Sequence, residues 1–204
     1  MIKRISITVL IALFVVGLTV VVVARYQRSA PRAIARGLSA VTVPGNDVAS
    51  LEADTLISAN KASTAPGFAE GSWVNSDSLT LEKLRGRVVV VEFWTFGCYN
   101  CRNTLPFVKE WDSRYHDRGL TIVGVHTPET DGEYNLGNVR REVASLEIKY
   151  PVVTDNDYKT WKAYGVEAWP TIFVLDKQGR VRWKHVGEGR YEETESVIKT
   201  LLAD

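Results

Sequence analysis

The chain has 204 residues, 45% of them hydrophobic and 24% charged, with a formal net charge of +1. That balance suits one globular domain with an extension and gives no electrostatic reason to expect nucleic acid or another polyanion as partner. The two cysteines exclude a framework of structural disulfides. They stand so close together, at Cys98 and Cys101, that a bridge between them closes almost no loop and adds little stability, which points to a chemical role.

Residues 5–24 carry no charge and are dominated by Ile, Leu and Val, diluted only by Ser6, Thr8, Gly17 and Thr19 and a few alanines. Roughly 20 residues at about 1.5 Å each cross a hydrocarbon core, and the run exceeds the roughly 7–15 residue apolar region of a cleaved signal peptide. The expectation is an uncleaved transmembrane anchor after a short tail at 1–4. Lys3 and Arg4 are outnumbered by Arg25, Arg28, Arg32 and Arg36 beyond the segment, so charge alone favours a cytoplasmic domain. A short tail ahead of a large folded domain favours the opposite layout, a single-pass inner-membrane protein with its domain outside the cytoplasm, and that is the layout expected. Residues 25–67, rich in Ala, Ser, Arg and Gly with Pro31, Pro44 and Pro66, show no apolar period and read as a tether. The domain is expected at 68–204.

Within it, Ser72, Trp73 and Val74 suggest a short leading strand and residues 79–84 a turn of helix. Residues 88–94 are apolar, β-branched or aromatic except for Glu92, the pattern of a strand buried on both faces, which makes Trp94 a core residue. Thr95, Phe96 and Gly97 form a turn, and Cys98 falls where a helix begins. Unpaired N–H groups of a first helical turn stabilise a thiolate there, and Cys101, one turn on, is within reach of the same sulfur. Leu105, Val108, Trp111 and Tyr115 continue the helix toward Arg118 and Gly119. Pro106 inside it removes the hydrogen bond to the carbonyl of Arg102 and predicts a kink.

Residues 120–126 read as a second buried strand, parallel to the first because a helix lies between them, and 127–133 as a loop leaving its end. Val139, Val143 and Leu146 mark another helix, 150–154 a short strand and 157–164 a helix ending at Gly165. The run at 171–176, the turn at 176–179 and the run at 180–186 form an antiparallel hairpin. Glu192, Glu193 and Glu195 load the start of a last helix whose apolar face is Val197, Ile198, Leu201 and Leu202. The expected architecture is α/β, a central mixed sheet with helices on both faces.

A strand, Cys98-x-x-Cys101 at a helix start, Pro106 after it, and Trp169-Pro170 directly before a hairpin and a final helix together resemble the thioredoxin superfamily over about 72–204. The stretches at 93–106, 124–129, 156–158 and 187–189 are similar to the membrane-attached, extracytoplasmic proteins of the TlpA, ResA and DipZ kinds. The resemblance implies a thioredoxin-like fold behind an N-terminal transmembrane helix, a cis peptide at Pro170, and thiol–disulfide exchange with no cofactor. In that chemistry Cys98 attacks a protein disulfide and Cys101 resolves the intermediate, or the reverse sequence oxidises a dithiol. It further implies a protein disulfide or dithiol as substrate, a membrane electron-transfer partner, and action as a reductant in cytochrome c assembly or disulfide repair.

Glu92, six residues before Cys98, occupies the place where thioredoxin-like proteins often carry a buried acid. Burial raises a carboxyl pKa, which suits a proton acceptor and donor for Cys101; the plainer alternative is a side chain reaching solvent at a sheet edge. Trp169 and Pro170 would offer main chain to an extended substrate, or serve only the fold. His126 is either functional or a hydrogen-bonded structural imidazole. His116, His126 and His185 lie on different elements without paired spacing, so no metal site is expected. Two other classes remain. Thr95 stands three before Cys98, as in peroxide-reducing relatives, although Val91 fills their proline position; and the thiols could serve a non-catalytic, copper-binding thioredoxin-like protein.

Overall fold

A computed structural model of the protein describes residues 54–204. The expected tail at 1–4, the anchor at 5–24 and the tether as far as residue 53 lie outside the described residues. Among the described residues no helix is long and apolar enough to cross a membrane.

Six strands build one mixed sheet: β1 (Trp73–Val74), β2 (Val88–Trp94), β3 (Leu120–His126), β4 (Val152–Thr154), β5 (Thr171–Leu175) and β6 (Val181–Val186), in the spatial order β1-β4-β3-β2-β5-β6. β2, β3 and β4 run parallel, and β1, β5 and β6 are antiparallel to their neighbours. The helices are α1 (Tyr99–Tyr115), α2 (Leu136–Ser145), α3 (Lys159–Ala163) and α4 (Tyr191–Ala203).

β2 is the middle of the molecule, and all seven of its residues are buried. Side chains alternate across a strand. Val88, Val90 and Trp94 therefore pack with Leu105 and Val108 of α1, Val139 of α2 and Ile198 of α4. Val89, Val91 and Phe93 pack on the opposite face with Trp161 of α3, Tyr164 and Phe173. Helices cover both faces, which is why β2 shows no polar alternation in sequence. Glu92 has the parity of Val90 and Trp94 and so points toward the α1 side.

α1 buries Cys101, Leu105, Val108, Trp111 and Tyr115 along one stripe, and it continues through Pro106 as a single element. A 3-10 turn at His116–Arg118 then brings the chain to Gly119 and β3.

Residues 79–84 make the expected single turn, with Leu84 N–H 3.2 Å from the carbonyls of both Thr80 and Leu81; burial of Leu81 and Leu84 holds it in place. One boundary departs from expectation: the domain begins well before residue 68. Ile57 N–H donates to Arg182 C=O at 2.8 Å, Ala65 N–H to Gly179 C=O at 3.0 Å, and Val181 N–H to Ser63 C=O at 2.9 Å. The later part of the presumed tether thus covers the outer edge of β6, where exposed main-chain groups invite wrong pairing. Its composition concealed this because the bonds are made by backbone.

Candidate active site

β2 ends at Trp94, and after three intervening residues Cys98 caps α1 from an extended backbone conformation. Cys98 and Cys101 form a disulfide with their Cα atoms 5.3 Å apart, and the Cys98 Sγ accepts a hydrogen bond from Cys101 N–H at 3.2 Å. The two sulfurs are not equivalent. Cys98 is partly exposed, whereas Cys101 has 0% exposure. Of the two, only Cys98 is open to solvent, and Cys101 is part of the core.

The Trp169-Pro170 peptide is cis. The Trp169 indole donates to Thr127 C=O at 3.1 Å and packs on Trp161 with ring centroids 4.3 Å apart. The carbonyl of Pro170 is already taken by Gly187 N–H at 2.8 Å. The main-chain groups of Trp169, by contrast, bond to no other described residue, so Trp169 supplies the free edge at this bend.

Glu92 is fully buried. Tyr150 O–H donates to its Oε2 at 2.9 Å, while Oε1 has no partner among the described residues. Loss of hydration pushes the Glu92 carboxyl up to about 7, and the Tyr150 bond holds it from going further. The sheet register explains how a residue from beyond α2 reaches it. Glu92 stands beside Gly124 on β3, and a Cβ at Gly124 would lie 2.8 Å from Trp94 Nε1 and 3.2 Å from Tyr150 Cε2. The missing side chain is therefore the space that the two rings occupy. Trp94, Cys101 and Tyr150 belong to one packed group, and Tyr150 is the member of it that bonds the carboxyl. Tyr150 and Gly124 were not singled out from sequence as site residues.

The turn ahead of Cys98 is fastened at every residue. Thr95 Oγ1 lies 3.2 Å from His126 Nε2, and the Phe96 ring stacks on His126 with centroids 5.4 Å apart. Gly97 N–H donates to Glu133 Oε1 at 2.9 Å. Glu133 is buried, and its Oε2 also accepts from the N–H groups of Glu129 and Thr130, at 2.6 and 2.8 Å. Burial alone would raise the Glu133 pKa, but hydrogen bonds from Thr95, Glu129, Thr130 and Gly97 outweigh it and hold the carboxyl below its ordinary value. Burial drives His126 down to about 4, so its ring is neutral near pH 7. Its Nδ1 has no partner among the described residues. Thr95 is fully buried. Glu133 escaped notice although Thr130-x-x-Glu133 is a capping-box spacing, and the box is present.

A parallel-centred sheet, a helix-capping Cys-x-x-Cys pair with one exposed and one buried sulfur, and a cis-proline bend beside it define a thioredoxin-like thiol–disulfide oxidoreductase. Residues 60–202 match the Redoxin family, and the chain belongs to it. The chain is 42% identical over 135 residues to Protein DipZ of Mycobacterium tuberculosis (strain CDC 1551 / Oshkosh), an alignment covering 65% of this chain and 19% of DipZ. It therefore spans less than a fifth of that relative. Thiol-disulfide oxidoreductase YkuV of Bacillus subtilis (strain 168) is 29% identical over 136 residues, 66% of this chain and 90% of YkuV. Among solved structures, a putative thiol:disulfide interchange protein DsbE from Chlorobium tepidum superposes with a TM-score of 0.61 at 28% identity, covering 69% of this chain and 96% of that one.

Proposed function

We propose that this oxidoreductase is a membrane-tethered, extracytoplasmic reductant of protein disulfides. The observation that carries the exchange chemistry is the unequal exposure of the two sulfurs; the buried Glu92 carboxyl, lifted to about 7, supplies a group able to take and return a proton. The Cys98 thiolate attacks one sulfur of a substrate disulfide, forming a mixed disulfide and releasing the other substrate sulfur as a thiolate. Cys101 passes its proton to Glu92 Oε1 and attacks the Cys98 sulfur, so the bond to substrate breaks and the second substrate thiolate leaves. Two electrons have moved to the substrate, and Cys98–Cys101 is a disulfide again. A dithiol partner in the membrane restores the reduced form. Trp169 main chain pairs with the extended substrate on the side of the bend away from Pro170 C=O.

The apolar segment at 5–24 supports the anchor, and residues 25–53 supply the leash. The resemblance to the TlpA, ResA and DipZ kinds supports substrates in cytochrome c assembly or disulfide repair. The test is Cys101→Ser in the full chain: the mixed disulfide then persists, and mass spectrometry of the trapped species identifies the substrate and the direction of flow. Absence of any trapped protein, with Cys98→Ser as control, would remove the exchange reading. A C-terminal alkaline phosphatase fusion tests orientation, and an inactive fusion beside a fluorescent cytoplasmic one would reverse it.

A further inference from the structure

Among the buried charged residues that the exchange mechanism does not use, Glu133 is the one bonded to the nucleophile's turn. We propose that Glu133 is a positioning residue for Cys98: its carboxylate, fastened to the N–H of Gly97, holds the turn and disfavours the Cys98 thiolate, which biases the pair toward its disulfide and the protein toward donating electrons. This rests on Cys98 as the attacking sulfur and bears on the direction of the proposed reaction.

The geometry is specific. Glu133 has 1% exposure and reaches across 36 residues of sequence to Gly97. A Cβ at Gly97 would lie 2.5 Å from Glu133 Oε1, so glycine at that position is what admits the carboxylate. The groups around it do not cancel its charge. Bonds from Thr95, Glu129, Thr130 and Gly97 keep it ionised, and His126 is neutral near pH 7. Glu129 and Asp131 on the same loop are exposed and add the same sign. The nearby cation is Arg102, which donates to Phe96 C=O at 2.7 Å and lies 3.7 Å from Glu142; it is largely exposed, so solvent weakens its effect.

The start of α1 favours a thiolate and Glu133 opposes it, so the nucleophile's ionisation is a contest between them. Glu133 is bonded to the N–H of the residue before the nucleophile, and two unit charges roughly 7 Å apart at an effective dielectric of about 20–40 shift a pKa by about one unit or somewhat more. A thiolate held less tightly makes the reduced protein less stable relative to its disulfide, the opposite of what makes a strong oxidant.

The test is the pH profile of iodoacetamide alkylation of the reduced full-length protein, with the labelled sulfur identified by mass spectrometry. Glu133→Gln should lower the Cys98 pKa by about one unit. Gly97→Ala crowds Glu133 but leaves its charge and should not lower that pKa. An unchanged Cys98 pKa in Glu133→Gln, or the same fall in both variants, overturns the proposal. Labelling at Cys101 in place of Cys98 would instead sink the exchange reading itself. Should Glu133→Gln fail to fold, the unmutated protein with carbon-13 in its glutamate carboxyls decides: coupling is reciprocal, so the Glu133 resonance must shift at the Cys98 pKa, and a flat resonance refutes the idea.

Discussion

Replacing Glu92 by Gln should make the stability of the oxidised protein less dependent on pH, and the sign follows from burial. A carboxyl with an ordinary value near 4.5 is lifted to about 7 by the loss of water around it. Below pH 4.5 it is protonated both folded and unfolded and contributes no pH dependence. As pH rises past 4.5 the unfolded chain ionises freely while the folded one cannot, so stability falls, and the loss levels off above pH 7. A shift from 4.5 to about 7 corresponds to about 3 kcal/mol. Gln keeps the shape and the acceptor for Tyr150 O–H but cannot ionise. Urea unfolding at pH 4 and pH 8 should therefore show wild type losing about 3 kcal/mol more than Glu92→Gln between the two. Oxidised protein is used so that the cysteines do not titrate. Parallel pH dependence in the two proteins would show that Glu92 ionises normally, and its role as proton carrier for Cys101 would go with it.

Tyr150→Phe removes the donor that restrains this pKa, so the pH midpoint for resolution of the mixed disulfide should move up by about one unit in stopped-flow measurements; an unmoved midpoint contradicts the role of the phenol. Gly124→Ala inserts a methyl where Trp94 and Tyr150 already meet, and should cost about 1–3 kcal/mol in urea unfolding. A neutral result there would mean that the rings have room to move and that the Glu92 compartment is less closely packed than the geometry indicates.

The order of elements was largely visible in sequence because it rests on local patterns. β2 and β3 appear as unbroken apolar runs since both faces are covered, and the turn at 176–179 lies between two strand-like runs that do form the β5–β6 hairpin. The sulfur pair needed only its spacing and the helix start after β2. The cis peptide at Pro170 came from family likeness and not from the dipeptide, whose base rate is only about 5–6%. The boundary at residue 68 was misplaced because main-chain bonds from the segment at 57–65 to β6 leave no signature in side-chain composition.

By itself the sequence determined the order of elements and the spacing of the sulfur pair, since each depends on neighbours along the chain, while the choice of Glu92 as candidate proton carrier also drew on family likeness. Only the tertiary structure decided which sulfur faces solvent, and that Tyr150 holds Glu92 across 58 residues and Glu133 holds Gly97 across 36. The Glu133 contact exists because β3 lies beside β2, so the loop following β3 meets the turn following β2; the Tyr150 contact exists because β4 lies beside β3 with Val152 opposite Gly124, which brings the residue just before β4 level with Glu92. Electrostatics acts through space, so the environment of each titrating group belongs to that arrangement and not to its position in the chain.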